Sequence, residues 1–261
     1  RCVRFMNEME QDPRLTVVER GNRSVIDTFF EEGLEGTNWS GNIVDICPVG
    51  ALVSKDFLHK ARAWDLDRTP SICTSCSQGC NIELHVRDNL VQRLKPRDNA
   101  DVNQHWMCDY GRERYEGLNR RGRIDTPARG RGPSRTASTW EETLPALVEA
   151  LGAAGGKGVR AVASPHASNE DLGALRRMVD ALGGGEIVFR MAQADQELPL
   201  PGARNLARRR ELAPNARGAE LLGARRVGGD DATGGLDALA GFDGVLLVLG
   251  DALADAPESF G

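Results

Sequence analysis

Cys73–Cys80 has the sequence C-T-S-C-S-Q-G-C, and after twenty-seven intervening residues Cys108 follows in W-M-C-D. Four of the six cysteines therefore stand in the pattern C-x2-C-x3-C-x27-C. Three thiols within eight residues can bind one common centre, and the distant fourth closes a loop of the chain around it. Four thiolates that converge on one point suit an iron–sulfur cluster or a zinc ion.

Three explanations of this pattern compete. Disulfides are disfavoured because a bond between Cys73 and Cys76, which are close in sequence, would not cross-link a core, and because no secretory signal is recognisable. Structural zinc usually takes two C-x2-C pairs that face each other, whereas here three cysteines precede a single distant one. The three-plus-one pattern is typical of [4Fe–4S] ligation, and Gly79 permits a tight curl before Cys80. The spacing favours a cluster and leaves zinc as the alternative.

Composition sets wider limits. The chain has 261 residues, 40% of them hydrophobic, which is enough for two domains or one large one. The longest strongly apolar run, 245–249, is far too short to cross a bilayer, so no direct membrane insertion is expected. The net charge of −5 offers no basic field for nucleic acid, and the Arg-rich stretch 112–135 is interpreted as a connector that docks on an acidic neighbour.

The cellular context is also constrained by the sequence. Six cysteines without a recognisable signal peptide predict a reducing compartment. The chain opens with Arg-Cys, without an initiating Met, and ends soon after an apolar run. Both ends are therefore expected to be cuts through a longer protein.

The two remaining cysteines have a different context. Cys2 lies in R-C-V-R-F, and Cys47 lies in D-I-C-P-V-G-A-L. A Cys followed by Pro and then Gly-Ala-Leu is a recurring end of ferredoxin-type cluster loops, because Pro turns the chain away at once. Two ordinary buried thiols are the alternative. Two ligands cannot hold a cubane, so any partners of Cys2 are expected upstream.

Local patterns predict the elements around these cysteines. Short strands are expected at 15–18 and 24–29, mixed helical spacing covers 51–66, and 81–86 and 90–94 form a β-hairpin around Asp88-Asn89. His59 is interpreted as a surface or core-edge residue, and His85 and His105 are interpreted as structural, since four cysteines are better ligands. Trp106 and Met107 are expected to shield the centre from water.

After residue 135 the composition changes to Ala and Gly, and cysteine disappears. A capping box at Ser138–Glu141 predicts a helix to about Leu151, with Pro145 inside it. Strands are expected at 159–163, 186–189 and 244–249, with a capped helix at 168–182 between the first two. This alternation predicts a parallel α/β sheet, and 199–214 is a polar, Arg-rich insertion in it.

These residues together resemble one family, the large iron–sulfur subunit of bacterial respiratory NADH:quinone oxidoreductase, or complex I. The similar segments are R-C-V-R-F (1–5), S-G-N-I-V-D-I-C-P-V-G-A-L (40–52), K-A-R-A-W-D-L (60–66), N-Q-H-W-M-C-D-Y-G-R (103–112), A-P-N-A-R-G-A-E-L-L-G (213–223) and the four-cysteine set. The resemblance covers nearly the whole chain and is most specific up to Arg112.

The resemblance implies an α/β protein of three parts. Residues 1–66 would be the end of a ferredoxin-like iron–sulfur domain, 67–135 a small β-hairpin [4Fe–4S] domain with a connector, and 136–261 the start of a molybdopterin-oxidoreductase-like α/β domain. Cys73, Cys76, Cys80 and Cys108 would hold one [4Fe–4S] cluster that lies off the main electron path. Cys2 and Cys47 would be part of the ligand set of a second [4Fe–4S] cluster, on the path to quinone.

The resemblance also implies a function and partners. The chain would pass electrons from NADH and flavin toward quinone, as a subunit of a translocase without a catalytic site of its own and without molybdopterin. Its partners would be other peripheral-arm subunits, including the flavin- and NADH-binding one. It would lie on the cytoplasmic side of the bacterial inner membrane, attached to the membrane through the complex.

Two alternatives stay open. A true molybdopterin enzyme, such as a formate dehydrogenase or nitrate reductase, shares the four-cysteine domain. In those enzymes a lysine two residues after the last cysteine links cluster and pterin, and here Tyr110 occupies that position. The second alternative is a zinc-stabilised interaction module. Colour separates them, since a cluster protein is brown and a zinc protein is colourless.

Overall fold

The computed structural model describes residues 1–29, 31–119, 124–130, 132–153, 158–228, 239 and 242–250. The chain forms two compact units, one of residues 1–120 with 194–214 and the other of residues 121–193 with 215–261. The family-based boundaries at 66/67 and 135/136 remain predictions, and part of the third segment, including 251–261, lies outside the described residues.

The first unit begins with a short helix and a hairpin. Helix α1 (Cys2–Arg4) continues as a π-helix over Phe5–Glu10, and strands β1 (Leu15–Val18) and β2 (Val25–Thr28) pair antiparallel. Both strands confirm the sequence prediction. Helix α2 (Gly41–Ile46) follows, with Cys47 as its C-terminal cap.

Residues 51–66 are all described, and they form turns and a 3-10 turn (Ala63–Asp65) instead of a regular helix. The helical spacing was misleading here because most of its apolar side chains stay outside the core, with Leu52 and Leu66 as the exceptions. Val53 and Trp64 are exposed, and an amphipathic helix depends on burying its apolar face. His59 adopts a positive φ of 69° and is exposed, in agreement with a surface role.

A three-stranded antiparallel sheet carries the four-cysteine loop, in the order β3 (Asp67–Ile72), β4 (Asn81–Arg87) and β5 (Leu90–Pro96). The β4–β5 hairpin confirms the prediction, and Asp88 and Asn89 both take the positive φ that such a turn requires. Strand β3 was missed because most of its residues are exposed and Pro70 interrupts its pattern. Helix α3 (Asp109–Glu113) and a 3-10 helix (Arg114–Asn119) follow Cys108.

Residues 194–214, here called the strap, pack within this first unit and not with the sheet that flanks them in sequence. The strap contains strands β10 (Leu198–Pro199) and β11 (Ala207–Arg208), which pair antiparallel. Leu200 and Leu206 are each 1% exposed and join the same core as Cys73, Cys80 and Cys108. The sequence predicted the insertion but contained no indication of where it packs.

The second unit is a parallel α/β unit, as predicted. Its elements are β6 (Ala128–Arg129), β7 (Thr136–Ala137), α4 (Trp140–Ala153), β8 (Val159–Ala163), α5 (Asn169–Ala181), β9 (Gly185–Phe189), α6 (Ala216–Leu221), β12 (Arg225–Arg226) and β13 (Val245–Val248). The four-stranded sheet has the order β12-β9-β8-β13, and all neighbouring pairs are parallel.

One helix cap of this unit lies where the sequence predicts it, and another lies one residue later. Ser168 caps α5 as expected, since its Oγ accepts from the Asp171 N–H at 3.1 Å. The capping box of α4 is one residue later than predicted. The Glu142 N–H donates to Thr139 Oγ1 at 3.3 Å, and the Thr139 N–H donates to Glu142 Oε2 at 3.4 Å. Across the described residues, no helix combines the length and apolarity needed to span a membrane.

Candidate metal centre

The four-cysteine loop closes through the backbone between two strands. Cys73 follows β3 and Cys80 precedes β4, and the Cys73 N–H donates to the Cys80 carbonyl oxygen at 2.8 Å. Gly79 has a φ of +65°, a conformation that glycine adopts without strain, so the loop can turn back within eight residues. This fits the curl that the sequence predicted before Cys80.

Cys108 reaches the same place from the far end of the sequence. Cβ placed ideally on Gly111 would lie 3.0 Å from the Cys73 Sγ and 3.4 Å from the Cys108 Sγ. The two sulfurs therefore flank one glycine although 35 positions separate them. The Gly111 N–H donates to the Cys108 Sγ at 3.3 Å, so the backbone supplies a donor to this sulfur. Only a residue without a side chain leaves this space open.

The four thiols are buried and close enough to influence each other electrostatically. Cys73, Cys76, Cys80 and Cys108 are between 4% and 6% exposed. Burial, with smaller contributions from the charges of Cys76 and Cys73, raises the pKa of the Cys108 thiol to about 12, although the Gly111 N–H opposes the rise. Burial and the other three thiols together raise the pKa of Cys80 strongly. Such a set cannot hold four thiolate charges alone, and it suits a positively charged iron centre that neutralises them.

The surroundings of the thiols are apolar. Met107 is 1% exposed and Ile82 is 2% exposed, and both lie in the core that contains the cysteines. Trp106 is partly buried on the same core, where its ring lies 4.9 Å from that of Phe5. A dry environment of this kind tunes the potential of a cluster.

The two nearby histidines have other partners. His85 is 1% exposed, and its Nδ1 accepts from Arg93 Nε at 3.1 Å while its Nε2 lies 3.3 Å from Glu83 Oε2. Burial lowers the pKa of His85, so the neutral ring is favoured. His105 is exposed, and its Nδ1 lies 2.8 Å from Asp98 Oδ1. These contacts agree with the structural roles predicted for both residues.

The second cysteine pair lies on two helices that contact each other, α1 and α2. Cys2 is buried, whereas Cys47 is half-buried. Hydrogen bonds from the loop after Cys47 lower the pKa of its thiol, and the donors are the backbone N–H groups of Leu52, Val49, Ala51 and Gly50, with Leu52 the largest. Gly50 has a φ of +64° within this loop. These hydrogen bonds make the Cys47 thiol easier to deprotonate, and the thiolate is the form that binds a metal.

A buried polar link that the sequence did not reveal joins the two cysteine segments. Asn42 in α2 is fully buried and donates from Nδ2 to the Met107 carbonyl oxygen at 3.0 Å, while its Oδ1 accepts from the Met107 N–H at 3.2 Å. Asp109 accepts from the Gly41 N–H at 2.8 Å and from the Ser40 Oγ at 2.9 Å. The residues on either side of Cys108 are therefore fixed to the helix that ends at Cys47.

The same link includes an ion pair and a close approach. Arg112 Nη2 lies 2.8 Å from Asp45 Oδ2, and burial raises the pKa of the neighbouring Asp109 carboxyl. Cβ placed ideally on Gly41 would lie 2.6 Å from Asp109 Oδ1. The glycine in S-G-N-I-V-D-I-C is thus needed for the close approach of Asp109 to the start of α2. This glycine is the sequence feature that could have indicated the link.

No group of three or more His, Cys, Asp or Glu side chains in the described ranges is placed as the ligands of a metal ion would be. The ligand sets named from the sequence therefore rest on the convergence of the thiols and on the chemistry of sulfur donors. Cys73, Cys80 and Cys108 lie in one core, and the buried Cys76 is close enough to affect Cys80 and Cys108 electrostatically. Cys2 and Cys47 lie on neighbouring elements.

Comparison with known proteins adds two family models. Residues 1–53 match the ferredoxin-like domain of NADH-quinone oxidoreductase subunit 3, and residues 66–120 match the molybdopterin oxidoreductase Fe4S4 domain. Both are iron–sulfur segments, so [4Fe–4S] clusters are supported as the cofactors of this chain.

Similarity to individual proteins leads to the same family as the two family models. The chain is 35% identical over 196 residues to the 78 kDa subunit of NADH-ubiquinone oxidoreductase of Candida albicans, which covers 74% of this chain and 27% of that protein. It is 36% identical over 187 residues to the mitochondrial NADH dehydrogenase iron-sulfur protein 1 of Solanum tuberosum, covering 72% and 25%. Identity to NADH-quinone oxidoreductase subunit 3 of Thermus thermophilus is 38% over 159 residues, covering 61% and 20%. The chain spans about a quarter of the length of these relatives.

Proposed function

This chain belongs to the family of the large iron–sulfur subunits of NADH:quinone oxidoreductase, and we propose that within the whole protein it carries electrons from NADH and flavin toward quinone. The observation that carries the proposal is the burial of four thiols, two of them flanking Gly111, in the segment that matches an Fe4S4 domain. Iron–sulfur clusters accept and donate single electrons, and the protein's task is to place them and tune their potentials.

We assign two ligand sets. Cys73, Cys76, Cys80 and Cys108 would hold one [4Fe–4S] cluster, supported by their common burial and mutual influence on pKa. Cys2 and Cys47 would supply part of the ligand set of a second cluster. The backbone N–H groups that stabilise a thiolate at Cys47 support this second assignment.

The remaining residues position and shield these ligands. Met107 and Ile82 keep water from the four-cysteine set, and Asn42 fixes the Cys108 segment against α2. A rigid link of this kind keeps the separation between the two ligand sets constant. This separation matters because an electron passes from one cluster to another only when the second cluster is suitably placed. We therefore assign electron transfer to this chain and no substrate chemistry.

The wider setting follows from the family and is part of the proposal. The chain would assemble with other peripheral-arm subunits, including the flavin- and NADH-binding one, in a translocase attached to the cytoplasmic face of the bacterial inner membrane. Its three segments would be 1–66, 67–135 and 136–261. The relatives named above belong to NADH-oxidising complexes by their names, which supports this setting over an independent enzyme.

A molybdopterin enzyme is a weaker candidate because of Tyr110. This residue stands where such enzymes place the lysine between cluster and pterin. The guanidinium of Arg114 lies 4.8 Å from the centre of the Tyr110 ring, and that of Arg208 lies 5.6 Å from it. The side chain at this position is therefore engaged by two arginines of the chain itself, and we propose that the chain binds no molybdopterin.

Replacement of Cys47 by alanine in the full-length, assembled complex tests the function. NADH-driven quinone reduction should be abolished, while NADH oxidation by an artificial acceptor should persist because flavin lies on another subunit in this family. Cys76→Ala is the matched comparison, and it should act mainly by reducing assembly. Normal quinone reduction by a stably assembled Cys47→Ala complex would refute the assigned role.

A further inference from the structure

One polar side chain of the four-cysteine loop, Gln78, lies between Cys76 and Cys80 and contacts the strap. Its Nε2 donates to the carbonyl oxygens of Val102 at 3.1 Å and Asn205 at 3.3 Å. Its Oε1 accepts from Arg209 Nε at 2.7 Å. Both amide hydrogens and the amide oxygen of Gln78 are thus engaged, two of the three contacts being with the strap.

Arg209 is itself held in place by the strap. Its Nη2 donates to the Asn205 carbonyl oxygen at 3.1 Å, and its Nη1 lies 3.4 Å from Glu197 Oε2. The planar guanidinium therefore contacts three groups at once, which fixes its orientation toward Gln78. A charged donor to a neutral amide oxygen is stronger than a neutral pair.

Two further contacts join the strap to the same centre. The Ser77 N–H, next to Gln78, donates to the Glu211 carbonyl oxygen at 3.0 Å. Arg208 lies over the ring of Tyr110, two residues beyond Cys108. Leu200 and Leu206 anchor the strap by burial in the core that holds the cysteines. The strap thus contacts both the short loop and the distant cysteine's segment.

We propose that Arg209 and Gln78 form a latch by which the strap positions the Cys76–Cys80 loop and keeps it closed over the four-cysteine centre. Arg209 is a positioning residue, because it acts on the ligands through Gln78 and touches no thiol in these contacts. The proposal rests on the ligand set assigned under the proposed function. It adds a role for a segment more than 100 positions away from the loop in sequence.

The latch predicts how often the loop opens. Loss of a hydrogen bond to a charged group costs at least about 1.4 kcal/mol, which corresponds to about tenfold more frequent opening. In the 261-residue chain, reconstituted anaerobically, Arg209→Gln and Gln78→Ala should each accelerate amide exchange at Ser77 about tenfold. Bleaching of the cluster's brown absorption by oxygen should accelerate in parallel.

Matched variants separate the latch from a general loss of charge or fold. Arg210→Gln removes the same side chain from the neighbouring position, where Arg210 is exposed and its Nε donates to the Ala194 carbonyl oxygen at 3.2 Å. This control should exchange and bleach like the parent. Arg209→Lys keeps the charge and one donor, so it should be intermediate. Combining Arg209→Gln with Gln78→Ala should give less acceleration than the product of the two single effects, because both changes remove the shared Arg209–Gln78 contact.

The midpoint potential of the cluster supplies a second readout. Removal of a nearby cation should make the potential more negative in Arg209→Gln, whereas Arg209→Lys and Arg210→Gln should retain the parent value. A parent chain that takes up no cluster would refute the ligand assignment itself. A parent that is brown, with Arg209→Gln and Gln78→Ala variants that bleach and exchange like Arg210→Gln, would overturn the latch alone.

Discussion

Glu10 should destabilise the first unit at neutral and alkaline pH, and Glu10→Gln should relieve this. Glu10 ends the π-helix after Cys2, and its Oε2 is buried without a hydrogen-bond partner among the described residues. Burial raises its pKa from 4.5 to about 7, and the charges of Asp109 and Asp12 add to the effect. Arg14 and the backbone N–H of Trp39 oppose the rise only in part.

The sign follows from proton binding. The folded chain holds the Glu10 proton up to about pH 7, whereas the unfolded chain releases it near 4.5, so folding is favoured by protonation. The stabilising effect is complete below pH 4.5 and is lost as the pH rises through 7. At about 1.36 kcal/mol per pKa unit the full rise corresponds to ~3.4 kcal/mol. Glu10 is only half-buried, so solvent screening reduces the expected penalty to ~1–2 kcal/mol at pH 8.

Glutamine has the same shape and is neutral at every pH, so Glu10→Gln should raise the free energy of unfolding by ~1–2 kcal/mol at pH 8 and by less at pH 5.5. Anaerobic urea denaturation followed by tryptophan fluorescence measures it, because Trp39, Trp64 and Trp106 all lie in the first unit. Glu8→Gln, on the exposed side of the same π-helix, should show no such pH-dependent gain. A gain independent of pH would refute the reasoning, since it would arise from packing and not from ionisation.

Three further outcomes are expected. Gly41→Ala should destabilise the first unit by ~1–3 kcal/mol in denaturation experiments, because its methyl group would displace Asp109, whereas Gly117→Ala, at an open position, should not. Cys76→Ala should increase amide exchange in the four-cysteine loop and in the strap while β8 stays protected; equal loss in β8 would contradict separate units. Iron and sulfide analysis of the reconstituted chain should give about four of each, and about eight would contradict the ligand count.

Local chemistry explains what could be predicted from the sequence. The three-plus-one cysteine spacing, the Asp88-Asn89 turn and the Ser168 cap are each specified by residues within a short stretch. The parallel sheet also follows from local alternation of apolar strands and capped helices. Asn42 lacked any such signal, because its partners at Met107 lie 65 positions away and a buried amide resembles any other asparagine in sequence.

The arginines of the strap show why its placement was hidden. A polar, Arg-rich segment predicts a solvated loop, yet all three consecutive arginines donate to carbonyl oxygens of the strap itself. Arg208 donates to Gln196, Arg209 to Asn205 and Arg210 to Ala194. The strap has only two-residue strands of its own. The arginine side chains add hydrogen bonds within the strap at exposed positions, while Leu200 and Leu206 enter a core built largely from residues 1–120. The side chain of Arg209 also contacts the cysteine loop through Gln78, a contact that an Arg-rich composition does not indicate.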